Sequence, residues 1–456
     1  MGLFFKSKTA FSNFFILCII TPLLFSCASR PGAYKEIDLA VGNGDFEGAV
    51  EKLTDAQKSK KPIYAERNAI MLFLDKGLLE HYAGDYENSS RSLQEAERMI
   101  EEAYTKSITA GFMSYIVNDN TKEYPGEDFE DIYINVFNAL NYYRRGNIEG
   151  ALVEIRKLSM SNGKLDMLAR RYEYKDPNSG ASLEELVQKE AGRGQLPRGK
   201  PVDFSNSALA RYLAALFYLA GGNTDSARIE FEQVQRAFLT NRNVYQNPFP
   251  SAVEQARNVP AGMARLNVIG FAGLSPVKEE EVVVHYFPFF QSPAFHVANF
   301  KLPKLVERPS VIDRIEVTAG QERFQLELLE DMGAVIRETF AVRYANIVIK
   351  TYIRTLLKYV TADVAAAVTS ERQSPLAGLA IALAARAAFE ATESADIRMS
   401  RYLPNRAYIG GVNLPPGNYD VTVNFYSGSR LIKQAARENV QVRANTLNLI
   451  DAVSLQ

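Results

Sequence analysis

Four short stretches of the sequence repeat one pattern: Gly44-Asp-Phe-Glu-Gly-Ala49, Gly84-Asp-Tyr-Glu-Asn-Ser89, Gly146-Asn-Ile-Glu-Gly-Ala151 and Gly222-Asn-Thr-Asp-Ser-Ala227. Each runs glycine, Asp or Asn, a larger residue, an acid, then two small residues. That order predicts a helix–turn–helix. Glycine ends one helix at positive φ. Asp or Asn caps the next helix, and the acid beside it favours the dipole. The small sixth residue lets the two helices approach closely. The flanks agree. Seven residues before the glycine stand Gly77, Ala139 and Ala215 in the last three copies, and Tyr142 and Tyr218 stand four before it in the last two. Nine residues after it stand Leu53, Leu93, Ile155 and Phe231.

This small–aromatic–glycine–small–aromatic spacing resembles the tetratricopeptide repeat. The copies are unevenly spaced, with glycine-to-glycine steps of 40, 62 and 76 residues against a repeat of about 34. Inserts are therefore expected near residues 103–130 and 159–207. The second holds Gly192-Arg-Gly-Gln-Leu-Pro-Arg-Gly-Lys200, which reads as a basic loop. By analogy with such repeats, Leu140, Tyr143 and Arg144 of the third copy are candidate groove residues for a protein or peptide partner. Tyr124-Pro-Gly-Glu127 reads as a turn whose following acids open a helix at 129–143.

From about Ala264 the periodicity changes to that of strands. Leu266–Phe271, Glu281–Phe287 and Val311–Val317 are β-rich, and Phe324-Gln-Leu-Glu-Leu328 alternates with period two. Tyr419–Phe425, a turn at Ser427-Gly-Ser429 and Leu431–Gln434 make a hairpin signal. Val440–Val442 and Leu447–Leu449 add strands. Leu414-Pro-Pro-Gly-Asn-Tyr419 suggests a type II turn, with Gly417 at the position that needs positive φ. Between these strands residues 331–395 read as a helical block. Met332, Ile336, Phe340, Tyr344, Val348, Tyr352 and Leu356 form an apolar stripe. Arg343, Lys350, Arg354 and Lys358 form a basic one, which would pair with acids such as Glu279 to Glu281 or dock to an acidic partner or to lipid headgroups. Leu376–Ala385 is apolar but too short to span a bilayer. The expected architecture is α+β and multidomain: a tetratricopeptide-like helical domain over 27–262, then a β-rich, sandwich-like domain over 263–456 carrying the helical block.

The first 26 residues have a different character. Lys6 and Lys8 precede the apolar run Phe14–Phe25 with no acid among them. This is the build of a secretory signal. Leu24-Phe25-Ser26-Cys27 resembles the bacterial lipobox, with Phe25 standing where a smaller residue is usual. The resemblance implies cleavage before Cys27 and acylation at that cysteine, and several acyl chains hold a protein stably on a bilayer. Ala28 in place of aspartate implies sorting to the outer membrane, facing the periplasm. The other cysteine is Cys18, so the processed chain has no disulfide partner for Cys27. Removing 1–26 takes two of 52 basic side chains and none of 53 acidic ones, leaving a net charge of −3. That balance implies no attraction to nucleic acid.

Signs of catalysis are few. The three histidines are His81, His285 and His296, with no zinc-type spacing and no phosphate loop. Ser161-Asn-Gly-Lys164 fits a serine–lysine pattern, but none of that pattern's companion motifs follows. No catalytic, cofactor-binding or metal-binding residue is expected, and no cofactor.

Together, the lipobox, the repeats and the β-rich half make the chain similar to a family of bacterial tetratricopeptide-repeat-containing lipoproteins of poorly defined function. The stretches Tyr124–Glu130 running into Asn138–Tyr143, Asn206–Tyr218 and Gly273–Glu280 carry that resemblance. It implies a lipid-anchored scaffold for protein partners in the cell envelope. Members are often found beside activators of peptidoglycan synthases, which suggests the alternative of a regulator of wall synthesis. An envelope hydrolase using Ser161 and Lys164, or a purely structural component, are the remaining classes.

Overall fold

The computed structural model describes residues 32–109, 119–159, 164, 204, 206–288, 295–344, 347, 348, 350, 351, 354, 355 and 393–456. Cys27 and the first 26 residues, Ser161, the loop at 192–200 and the run 376–385 lie outside them. The described chain mixes helix and sheet, as an α+β protein does.

Eight helices form four hairpins. They are α1 (Lys35–Gly42) with α2 (Phe46–Lys58), α3 (Ala69–Ala83) with α4 (Tyr86–Thr109), α5 (Asp128–Arg144) with α6 (Ile148–Ser159), and α7 (Ala208–Ala220) with α8 (Thr224–Thr240). Consecutive hairpins pack on one another in chain order. The turn chemistry is the same in all four. Gly44, Gly84, Gly146 and Gly222 all have positive φ. The next residue caps the second helix each time: Asp45 accepts from Gly48 N, Asp85 from Asn88 N, Asn147 from Gly150 N and Asn223 from Ser226 N. The small sixth residues Ala49, Ser89, Ala151 and Ala227 are buried, as are Leu53, Leu93, Ile155 and Phe231. Gly77 shows why smallness matters, since a Cβ there would lie 2.7 Å from Leu93 Cγ. Gly126 turns the chain at φ 80°, and the Glu127 N–H donates to Glu130 Oε2 at the start of α5.

A short helix, α9 (Ser251–Arg257), leads into the strands. One sheet is β10 (Asn448–Ser454), β1 (Ala264–Leu274), β7 (Pro404–Leu414) and β6 (Glu327–Asp331), in that order. β1 runs parallel to β10 and antiparallel to β7. A second, antiparallel sheet has β5 (Glu322–Gln325), β4 (Arg314–Ala319), β8 (Gly417–Ser427) and β9 (Arg430–Val442). β2 (Val277–Pro288) and β3 (Phe295–Val306) pair as a separate hairpin. β1 is buried along nearly all its length because both of its faces are covered. Its Leu266, Val268 and Ala272 join a cluster with Val317, Val423 and Phe425 of the second sheet. Its Ile269 and Phe271 join the main cluster, which continues through Phe137, Leu140 and Phe217 of the helices. The helical and β-rich parts thus share one core. Residues 332–344 are helical, with Met332 and Ile336 inside that core.

Three local expectations are corrected. Residues 324–328 are not one strand. β5 belongs to one sheet and β6 to the other, and buried Leu326 lies between them, its N–H donating to Ile315 O. Gly417 has no positive φ. It already belongs to β8, so the link between β7 and β8 is Pro415-Pro416, and these strands lie in different sheets. Two prolines cannot donate to a ladder, which suits them to a corner between sheets. Finally, Leu431–Gln434 and Val440–Val442 are one strand, β9, kinked at Asn439, whose φ is 54°.

Candidate functional site

The three groove candidates point inward. Leu140 is fully buried in the main core. The Tyr143 hydroxyl donates to Leu447 O and accepts from Leu449 N, both at 2.9 Å, so it is tied to β10. Arg144 Nε lies 3.8 Å from Asp451 Oδ1 and 3.1 Å from the Tyr86 hydroxyl. The face expected to receive a partner is occupied by the chain's own first sheet. β10 alternates, so Leu449 and Asp451 both turn toward the helices.

Around Asp451 the seam is ionic. His81 Nε2 stands 3.3 Å from Asp451 Oδ2, and Nδ1 stands 2.7 Å from Asn141 Oδ1. Asn141 is oriented by its amide N–H, which donates to Ser89 Oγ. Both ring nitrogens of His81 therefore face acceptor oxygens. Burial would raise the Asp451 pKa, but His81, Arg144 and Arg437 outweigh it and hold the carboxyl well below the usual range.

At two other carboxylates burial outweighs the groups around them. Glu130 Oε1 accepts the Ser400 N–H at 2.6 Å, and Oε2 accepts the Tyr124 hydroxyl at 2.7 Å. Burial, then the nearby Glu127 charge, pushes its pKa up to about 7. Asp75 accepts from Ser400 Oγ and Arg401 N and from the Tyr64 hydroxyl. Its pKa is also raised, by burial. Residues 398–402 are in this way clasped by α3 and α5. Glu330 of β6 accepts the hydroxyls of Tyr133, Ser207 and Tyr245 at 2.7–2.9 Å and the Leu209 N–H at 3.1 Å. It sits at the start of α7, where helix dipole and donors favour an anion.

Two members of the basic stripe are likewise used at home, while Lys358 lies outside the described residues. Arg343 pairs with Glu127, which also takes Lys278. Arg354 is buried, with Nε 3.8 Å from Glu393 Oε2 and a hydrogen bond to Thr351 Oγ1. Lys350 is partly exposed. The expected acids, Glu280 and Glu281, pair instead with Lys301 and Lys304 of the neighbouring strand β3. Arg343 meets an acid from another element because residues 332–344 pack into the core.

Lys164 makes ion pairs with Asp131 at 2.6 Å and Glu97 at 2.7 Å. Burial works against its charge, but the two carboxylates win and raise its pKa. The same contacts, with Lys157 and Asn135, bring Glu97 down to about 2 despite burial. An ammonium so held cannot take a proton from a serine at neutral pH. His81 is in the seam described above, and His285 and His296 lie on β2 and β3. Among the described residues no cluster of acidic, histidine or cysteine side chains could hold a metal, and no helix is long and apolar enough to cross a membrane.

Two features escaped the sequence reading. One is the set of buried carboxylates Asp75, Glu130 and Glu330, whose partners lie in distant parts of the chain. The other is a cleft of about 400 Å³ between α9, the ends of β5 and β6, and Gly410 and Gly411 within β7. Asn-Pro-Phe-Pro at 247–250 preceding a short helix was the available signal for a corner there. No family model, curated protein or solved structure matches the chain.

Proposed function

We infer that the chain is a lipid-anchored envelope protein that works as a scaffold for protein partners, held at the outer membrane through Cys27. On this reading the four hairpins are a tetratricopeptide-like array and the two four-stranded sheets a sandwich that braces it. The carrying observation is the repeated turn, with its positive-φ glycine, cap and buried small residue in four hairpins stacked in order. Arrays of this kind work mainly by binding. Since β1 and β10 close the inner face, partners are assigned to the outer one. There Val153 of α6 and Ile229 and Leu239 of α8 are exposed. The contacts of Lys164 weigh against a serine–lysine hydrolase.

The test places a photocrosslinking residue at 153, 229 or 239 of the full, lipidated chain in cells, with 140 as the buried control. Discrete adducts from the outward positions are expected. Absence of adducts from all three overturns the reading. The narrower alternative, regulation of peptidoglycan synthesis, rests on the family resemblance. Unaltered muropeptides after deletion overturn it.

A further inference from the structure

The hairpin β2–β3 stands apart from both four-stranded sheets, and among the described residues its strands pair only with each other. Charges gather near its base, where Glu280 and Glu281 of β2 pair with Lys301 and Lys304 of β3. Beyond them, from Val282 to Phe300, 19 residues pass without an aspartate, glutamate, lysine or arginine. Charged residues make up 23% of the chain, so a run of that length would ordinarily hold about four. Six of the 19 are aromatic: Tyr286, Phe287, Phe289, Phe290, Phe295 and Phe300.

The strands stay in register from Val277↔Val306 out to Pro288↔Phe295, and residues 289–294, which join them, lie outside the described residues. The two faces of the hairpin differ. Val283 lies opposite Phe300, and that face packs on Tyr344, Ile347 and Val348 of the helical block. The alternate face carries Val282 and Val284, which stay 53% and 49% exposed. Single exposed apolar residues are ordinary on a surface. These two are neighbours on one face, inside a run that carries no charge.

We propose that the open face of this hairpin lies against a lipid bilayer, at the depth of the headgroups. A charged side chain carried into lipid is costly, and the run has none of the four fully charged types. Aromatic residues favour the boundary between water and lipid. The ion pairs at the base mark where the contact ends. The unpaired backbone edges of a two-stranded sheet would be costly in hydrocarbon, which confines the hairpin to the interface, where water remains. A protein partner of ordinary size makes about ten hydrogen bonds, and Val282 and Val284 offer it none. Apolar burial would drive the contact, so it needs no anionic lipid. The proposal rests on the membrane-bound reading for its setting: the anchor would bring the chain to a bilayer, and the hairpin would fix how the chain lies on it.

The chain has no tryptophan, so one introduced residue reports alone. Val284→Trp sits at an exposed strand position, where an aromatic residue is well tolerated. The full chain carrying it is purified from cells and reconstituted with phosphatidylcholine vesicles that contain brominated acyl chains. Leu239→Trp, at an exposed position of α8, is the control. Flotation with the vesicles that is lost in Cys27→Ala reads the anchor, and fluorescence reads the hairpin. Quenching by the brominated lipid and a blue-shifted emission are expected at 284, with neither at 239. Adding Val282→Glu to Val284→Trp should cut the quenching at least about threefold. Absence of quenching at 284, with or without flotation, overturns the proposal, and flotation without quenching does so while leaving the anchor standing. Equal quenching at the two positions overturns it too. So does a photocrosslinker at 284 that captures a protein in cells when the vesicles give no quenching, since the face is then a protein interface.

Discussion

Glu130 on α5 accepts the backbone N–H of Ser400 at 2.6 Å, across 270 residues of sequence. The bond joins the third hairpin to the segment that enters β7. It is made by a carboxyl whose pKa lies near 7 because burial, and then Glu127, disfavour its charge.

A pH dependence follows. The folded-state pKa is raised above the ordinary 4.5, so this group's contribution is fully present below that value and is lost as pH rises through about 7. Over that window one carboxyl changes stability by roughly 2–3 kcal/mol. Glu130→Gln carries no titrating group. Its unfolding free energy relative to the unaltered chain should therefore improve by about that much between about pH 5 and pH 8. Denaturant unfolding at the two values checks this, and a difference independent of pH contradicts it.

Among the described residues Glu330 meets no cation but has several donors. Glu330→Ala would strand the hydroxyls of Tyr133, Ser207 and Tyr245 and the Leu209 N–H together. A loss of about 3–5 kcal/mol is expected, on the scale of breaking a buried polar network. Glu330→Gln keeps the shape and should cost less than half as much. Urea unfolding of the two variants measures the difference.

Glycines in the hairpins should differ by mechanism. Gly84 has positive φ and nothing within 4 Å of an added Cβ, so Gly84→Ala carries only backbone strain, about 1 kcal/mol. Gly77 sits against Leu93, and overpacking there should cost about 1–3 kcal/mol. Paired unfolding curves should rank Gly77→Ala as the more damaging.

Lipidation is tested apart from folding. Palmitate labelling of the chain in cells should vanish in Cys27→Ala, with the protein released from the membrane fraction. Labelling that persists overturns the assignment of Cys27.

The hairpin turns were legible because their chemistry is local. A glycine at positive φ, its capping neighbour and the buried Ala49, Ser89, Ala151 and Ala227 all fall within six residues. The burial of Leu140, Tyr143 and Arg144 was not legible. Their sequence suits a face that binds something, and nothing local says that the occupant is β10, some 300 residues later. The same holds for Arg343 and Arg354, whose acids Glu127 and Glu393 come from other elements. Alternation at 324–328 correctly signalled strand but could not show that β5 and β6 part company at Leu326. The Pro415-Pro416 corner was misread for a related reason. A turn signal marks where the chain bends, while the sheet it bends into is a tertiary choice.

Closing the first and last parts of the chain upon each other has a kinetic cost. β10 pairs with β1, ties to Tyr143 and faces His81, and Gln456 hydrogen-bonds Gly42 O. Those partners are made hundreds of residues before β10 emerges. Until it arrives, the inner faces of the early hairpins, Leu140 among them, stay open to water. Contacts of such long sequence separation fold slowly. The nascent helices would thus spend that interval as an aggregation-prone intermediate, the stage at which a chaperone is most needed.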